Sequence, residues 1–185
     1  MKIMFRSLGL VAVLAMSTLL PSCDKVKDAI SINIGTQTVT ADFYITAQPQ
    51  GTQELAMFQY GINIDSLIKI KSPDLGIGNI KKANIQSVHL TLSNATQTDN
   101  FGAFSACELG LASSSKPEYT VVAALTANPD TYATSLDIPV NTNLDVKDYF
   151  KSSVYYFKFS GTTRRATSTT LQGKATIKFD VEAGL

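Results

Sequence analysis

Residues 171–183, LQGKATIKFDVEA, decide the fold. Leu171, Ala175, Ile177, Phe179, Val181 and Ala183 take the odd positions. Gln172, Lys174, Thr176, Lys178, Asp180 and Glu182 take the even ones. Successive side chains of a strand point to opposite faces, so this alternation sets one face in a core and the other in water. The period of two recurs upstream. Tyr155, Phe157 and Phe159 alternate with Tyr156, Lys158 and Ser160. Val39, Ala41, Phe43 and Ile45 alternate with Thr38, Thr40, Asp42 and Tyr44, after a short strand at Ile30, Ile32 and Ile34. Val88, Leu90 and Leu92 alternate with His89, Thr91 and Ser93, whereas Ile85 has the other parity, which predicts a β-bulge near Gln86 or Ser87. Tyr132, Thr134, Leu136 and Ile138 make another strand, ended by Pro139.

Four segments call for separate readings. Residues 119–125 form an apolar run broken only by Thr120, which predicts a strand covered on both faces or set near the core centre. Residues 161–170, GTTRRATSTT, join the last two strands, and adjacency predicts a C-terminal hairpin with a long polar connection. Thr142 or Asn143 is placed to cap a short helix over residues 144–151, with Val146, Tyr149 and Phe150 at i, i+3 and i+4. Asp65 is placed to cap a turn over residues 66–70, but Ile62, Ile64, Ile68 and Ile70 also alternate, so helix and strand stay open there. Eight or nine strands with one or two short helices predict an all-β fold: an antiparallel β-sandwich, Ig-like or jelly-roll-like. A transmembrane barrel fits less well, since lipid-facing strands need aromatic girdles.

The first 22 residues read as an address. Lys2 and Arg6 precede an uncharged, mostly apolar run at residues 8–20, LGLVAVLAMSTLL. A helix of that length rises roughly 20 Å, short of the roughly 30 Å hydrocarbon core, so the pattern is that of a secretory signal peptide. The run closes on Leu20, Pro21, Ser22 and Cys23, which resembles the lipobox of bacterial lipoproteins, with Pro21 where Ala, Ser or Thr is commoner. The resemblance implies cleavage between Ser22 and Cys23, a diacylglyceryl thioether on Cys23 and acylation of the new amino group. It divides the chain into a signal peptide (1–22), a lipidated tether (23–28) and one sandwich domain (29–185). The expected location is the cell envelope, with the outer membrane of a Gram-negative bacterium first. The body resembles the β-sandwich lipoproteins of such envelopes.

Cleavage corrects the charge. The 185 residues carry 16 basic and 15 acidic side chains, net +1; removing Lys2 and Arg6 leaves 163 residues with 14 against 15, net −1. A chain so balanced has no basic surplus for nucleic acid. Two Cys and one His do not make a structural zinc site or a disulfide scaffold. With Cys23 lipidated, Cys107 has no disulfide partner. It shares parity with Leu109 and Leu111, which makes it a core thiol.

Little catalytic chemistry is written in the chain. His89, the sole histidine, falls on the polar parity of its strand. No G-x-S-x-G, H-E-x-x-H, P-loop or G-x-G-x-x-G motif is present. Asp180 and Glu182 fall on a water-facing parity, and Asp99 and Asp130 are loop acids outside any EF-hand pattern, a calcium site there being the lesser reading. The expected activity is therefore non-enzymatic and needs no cofactor: a binding or structural module, with a glycan-binding module second and a hydrolase third. Tyr44 and Tyr156, on the polar parity of their strands, are the candidate stacking face, and Arg164 and Arg165 the candidate anion contacts. Asn94-Ala95-Thr96 matches an N-glycosylation sequon and Asp65-Ser66-Leu67 a short O-glycosylation motif.

Overall fold

A computed structural model describes residues 31–185; the signal segment, Cys23 and the tether lie outside the described residues. Nine strands are present among them: β1 (Ser31–Asn33), β2 (Gln37–Ile45), β3 (Gly51–Gly61), β4 (Ile80–Leu92), β5 (Phe104–Ser113), β6 (Lys116–Leu125), β7 (Ser135–Ile138), β8 (Val154–Thr163) and β9 (Leu171–Gly184). One sheet runs β1 and β2, then β9, β4 and β7; the other runs β3, β8, β5 and β6. β1 and β2 follow one another along β9 as a single interrupted strand, with Ile32 opposite Ala183 and Val39 opposite Ile177.

The pairing has a simple logic. β5 pairs with β6, β4 with β7, β3 with β8 and β2 with β9, all antiparallel. The chain is therefore one long hairpin, nested about the turn between Ser113 and Lys116. It is wrapped so that β4 also meets β9 and β5 also meets β8. That order is the jelly roll, and it selects this arrangement over the Ig-like one.

The alternating residues fill the space between the sheets. Phe43, Leu90, Leu109, Phe159, Ile177 and Phe179 are all buried there. Phe58 stacks on Phe157 with ring centroids 5.4 Å apart, and Phe43 lies 6.1 Å from both Phe58 and Phe159. Each such pair adds about 0.5–1.5 kcal/mol beyond its buried area. The expected bulge in β4 is present, as a register shift between Ile85 and Ser87.

The C-terminal hairpin is not formed. β8 and β9 lie in different sheets, and the loop between them crosses from one to the other. Their hairpin partners are β3 and β2, far away in sequence. β6 is not covered on both faces either: it is the edge strand of its sheet, and only Val122 and Ala123 of the run are buried. A register shift between Leu109 and Gly110 makes Val122 the extra residue of a bulge. Two successive side chains then turn inward and the apolar run stays unbroken.

The helix expected over residues 144–151 reduces to a 3-10 turn at Tyr149–Lys151. Val146 N–H donates to Ala83 O at 2.8 Å, and Asn84 Nδ2 donates to the carbonyls of Thr142 and Leu144. The first half of the segment is thus bound to β4, and only its second half bonds to itself, Tyr149 N–H to Val146 O and Phe150 N–H to Lys147 O, both at 3.0 Å. Val146, Tyr149 and Phe150 are buried nonetheless. The undecided segment is helix α1 (Ile64–Lys71), capped by Asn63 rather than Asp65: Asn63 Oδ1 accepts from Ser66 N–H at 2.9 Å.

The wrapping gives the sandwich two unlike ends. Four crossing loops, residues 46–50, 93–103, 126–134 and 164–170, gather at one end. The other end holds Ser31, α1, the turn after β5, the loop between β7 and β8, and the close of β9.

Candidate functional site

The outer face of the second sheet carries an exposed apolar cluster. Met57 is 62% exposed, Val121 45%, and Tyr119 and Tyr156 37% each. Among the described residues, these are four of the eight exposed large apolar or aromatic side chains, so the exposure is concentrated, which single scattered residues would not be. A bulge in β3, between Glu54 and Ala56, flips that strand's parity and turns Met57 outward. Tyr119 lies flat beside Gly110, where an added Cβ would come within 3.4 Å of its ring. Lys158 Nζ sits 4.6 Å from the centroid of that ring, and Tyr119 Oη donates to Met57 Sδ at 3.7 Å. Burial raises the Tyr119 phenol above its ordinary value, with Glu54 and Tyr156 adding to the effect. Met57, Phe58, Gln59, Tyr119 and Tyr156 line a shallow recess of about 350 Å³.

This cluster adjoins an edge. Along its far side β6 is met by a single bridge, Ala123 with Val140, and by Ala124 N–H to Pro139 O at 2.9 Å and Asn141 N–H to Val122 O at 3.0 Å. No strand among the described residues pairs with that side.

Tyr44 is 61% exposed on the outer face of the first sheet. It lines a recess of about 330 Å³ with Asp42, Thr91, Ser93, Gln172 and Lys174, near the four-loop end. Tyr44 and Tyr156 thus face away from each other across the sandwich, and the single stacking face expected from them does not exist.

Both arginines are engaged within the chain. Arg164 Nη2 donates to the carbonyls of Phe104 and Asn128. Arg165 pairs with Asp130, whose carboxyl is held below its ordinary value chiefly by that hydrogen bond. Asp99 is 1% exposed, and its Oδ2 accepts from Ser168 N–H, Ser168 Oγ, Thr169 N–H and Thr169 Oγ1 at 2.8–3.1 Å. Burial alone would raise the Asp99 carboxyl, but those four donors outweigh it and the net shift is downward. Asp99 and Asp130 therefore each hold the four-loop end together. The sequon residue Asn94 does the same, donating to Thr170 O and accepting from Gln172 N–H. Ser66, of the second motif, is exposed on α1.

His89 Nδ1 meets Asp137 Oδ1 at 2.7 Å on the outer face of the first sheet. Cys107 is buried in the other sheet, its thiol pushed up to about 12 by desolvation. Asp180 and Glu182 are half-buried rather than fully water-facing, beside Lys82, Asn84 and Gln86. Among the described residues no three His, Cys, Asp or Glu side chains converge as metal ligands.

No protein-family model matches the chain, and no curated protein matches it. Solved structures with some likeness include viral ones. A chain of Desmodium yellow mottle tymovirus is 14% identical over 82% of this chain and 90% of its own, with a TM-score of 0.22. A chain of infectious bursal disease virus, Gx strain, is 12% identical over 80% and 36%, at 0.33. One of turnip yellow mosaic virus is 12% identical over 82% and 96%, at 0.24. Likeness at these TM-scores carries no argument, and the jelly-roll assignment rests on the strand order alone.

Proposed function

We propose that the chain is a lipid-anchored protein of the cell envelope, held through Cys23, that binds a protein partner with the outer face of its second sheet. The anchor rests on the lipobox resemblance, and the outer membrane is the location that goes with it. One observation carries the binding face: Tyr119 and Val121, the outward residues of an apolar run, stand exposed on an edge strand beside Met57 and Tyr156. An edge strand offers backbone donors and acceptors to an extended segment, and the flanking apolar side chains supply the buried contact. This geometry suits a polypeptide better than a sugar, because Lys158 already lies over the Tyr119 ring where a sugar would stack.

Site-specific photocrosslinking in intact cells tests the face. A photoreactive residue at Met57 gives a discrete protein adduct, one at Tyr132 does not, and Val121→Arg abolishes the Met57 adduct. The same adducts from Tyr132, or none from Met57, refute it. The Tyr44 recess supports a second reading, a glycan subsite, because an exposed ring stands there among hydrogen-bonding side chains. Loss of glycan retention in Tyr44→Ala, with the Met57 adduct absent, would favour it.

A further inference from the structure

We infer that α1 lies against the lipid surface, with Ile70 seated at the boundary between headgroups and acyl chains, and that the four-loop end projects away from it. The inference rests on the anchor at Cys23. Eight residue steps separate Cys23 from Ser31, a reach of at most roughly 28 Å. Ser31 pairs with Gly184 at the close of β9, so the tether enters at the α1 end. The opposite end lies roughly 40 Å away at about 3.3 Å per strand residue, beyond that reach.

α1 is the element that closes the tethered end. β3 ends and β4 begins there, and the helix joins them. Its Ile64 and Ile68 are fully buried between the sheets. Asp65 Oδ1 accepts from Ile77 N–H at 2.8 Å, which clips the helix to the turn leading into β4. The opposite helical face, with Ser66 and Ile70, then points out of the end of the sandwich. Ile70 is 74% exposed, the most exposed large apolar side chain among the described residues. Lys69 and Lys71 flank it, with exposed aliphatic stems that can lie along acyl chains while their ammonium groups stay among headgroups.

Charge attraction is not the driver. Lys69, Lys147 and Lys151 at this end are matched by Asp65, Asp145 and Asp148. Lys71, Lys81, Lys82 and Lys116 stand with Asp74, Glu118, Asp180 and Glu182, four of each sign. The driver is the short tether, which holds the end at an effective concentration of order millimolar, so one inserted side chain is enough to bias orientation.

The chain has no Trp, so a single introduced one reports its own surroundings. Mature lipidated protein carrying I70W, and separately Y132W at the four-loop end, is reconstituted into phosphatidylethanolamine–phosphatidylglycerol vesicles with brominated acyl chains. Acyl mass and flotation are measured on the same samples. The expected result is loss of roughly half the I70W emission to bromine, with Y132W unquenched. An acylated, floating protein with I70W unquenched, or with both positions quenched alike, overturns the inference and leaves the anchor standing. A protein without acyl mass that fails to float overturns the anchor, and the inference with it.

Discussion

Asp99→Asn is the perturbation that tests how the four-loop end is held. The Asp99 carboxylate joins the β4–β5 loop to the β8–β9 loop through four donors on one oxygen. A hydrogen bond to a charged acceptor contributes about 1.5–3 kcal/mol net, and four on one atom do not add. Asparagine can set its one oxygen where Oδ2 stands but carries no charge, so the four bonds weaken from charged to neutral, a loss of about 2–4 kcal/mol of stability at pH 7. The folded carboxyl titrates below its ordinary value of 3.8. Its stabilisation is therefore complete above that value and is lost as pH falls through the lower, folded one. Urea unfolding of both proteins, followed by far-ultraviolet dichroism from pH 7 to pH 2, should show a constant gap down to about pH 4.5 that narrows in more acid solution. A gap under about 1 kcal/mol at pH 7, or one that widens on acidification, would refute the reasoning.

Two further outcomes follow from packing. In a Cys23→Ser background Cys107 should react with a disulfide reagent no faster than the protein unfolds, since burial pushes its thiol up to about 12; stoichiometric labelling of native protein within minutes would contradict this. Gly173→Ala would set a Cβ 2.4 Å from Phe43 Cζ and 2.7 Å from Thr91 O, and should cost about 3 kcal/mol or more, whereas Gly78→Ala meets nothing within 4 Å and should stay within about 1 kcal/mol. Equal midpoints for the two in a urea titration would show the sandwich tolerating that overlap.

The strands that were legible are those whose alternation nothing interrupts. β2, β8 and β9 keep one parity inward throughout, and the bulge in β4 announced itself because Ile85 and Val88 are both apolar and out of phase. β3 was illegible for the same reason with fewer clues. Its bulge brings Leu55 and Ala56 inward together, after which Phe58 and Tyr60 face the core and Met57 does not. Partnership was not legible at all. Alternation records which side of a strand is wet, and nothing about which strand lies beside it. β8 and β9 read as neighbours because they are adjacent in sequence, and the jelly roll separates them. The roles of Arg164, Asp99 and Asn94 were hidden likewise, since each acts on loops 30 to 80 residues away.

The reading of β6 failed in an instructive way. A continuous apolar run means that neither face was selected for water, and the inference that both faces are covered was sound physics. The bulge at Val122 accounts for two of the apolar residues, Val122 and Ala123, which turn inward side by side. It does not account for Tyr119 and Val121, which point outward where polar residues would cost nothing. Outward positions of the same sheet away from that corner carry Thr52, Glu108, Ser160 and Thr162, so the departure is local and not a habit of the sheet. Met57 and Tyr156 extend that corner from other strands. Cover for this face is therefore expected from outside the described residues, and a partner's strand along β6 would supply it while pairing the edge.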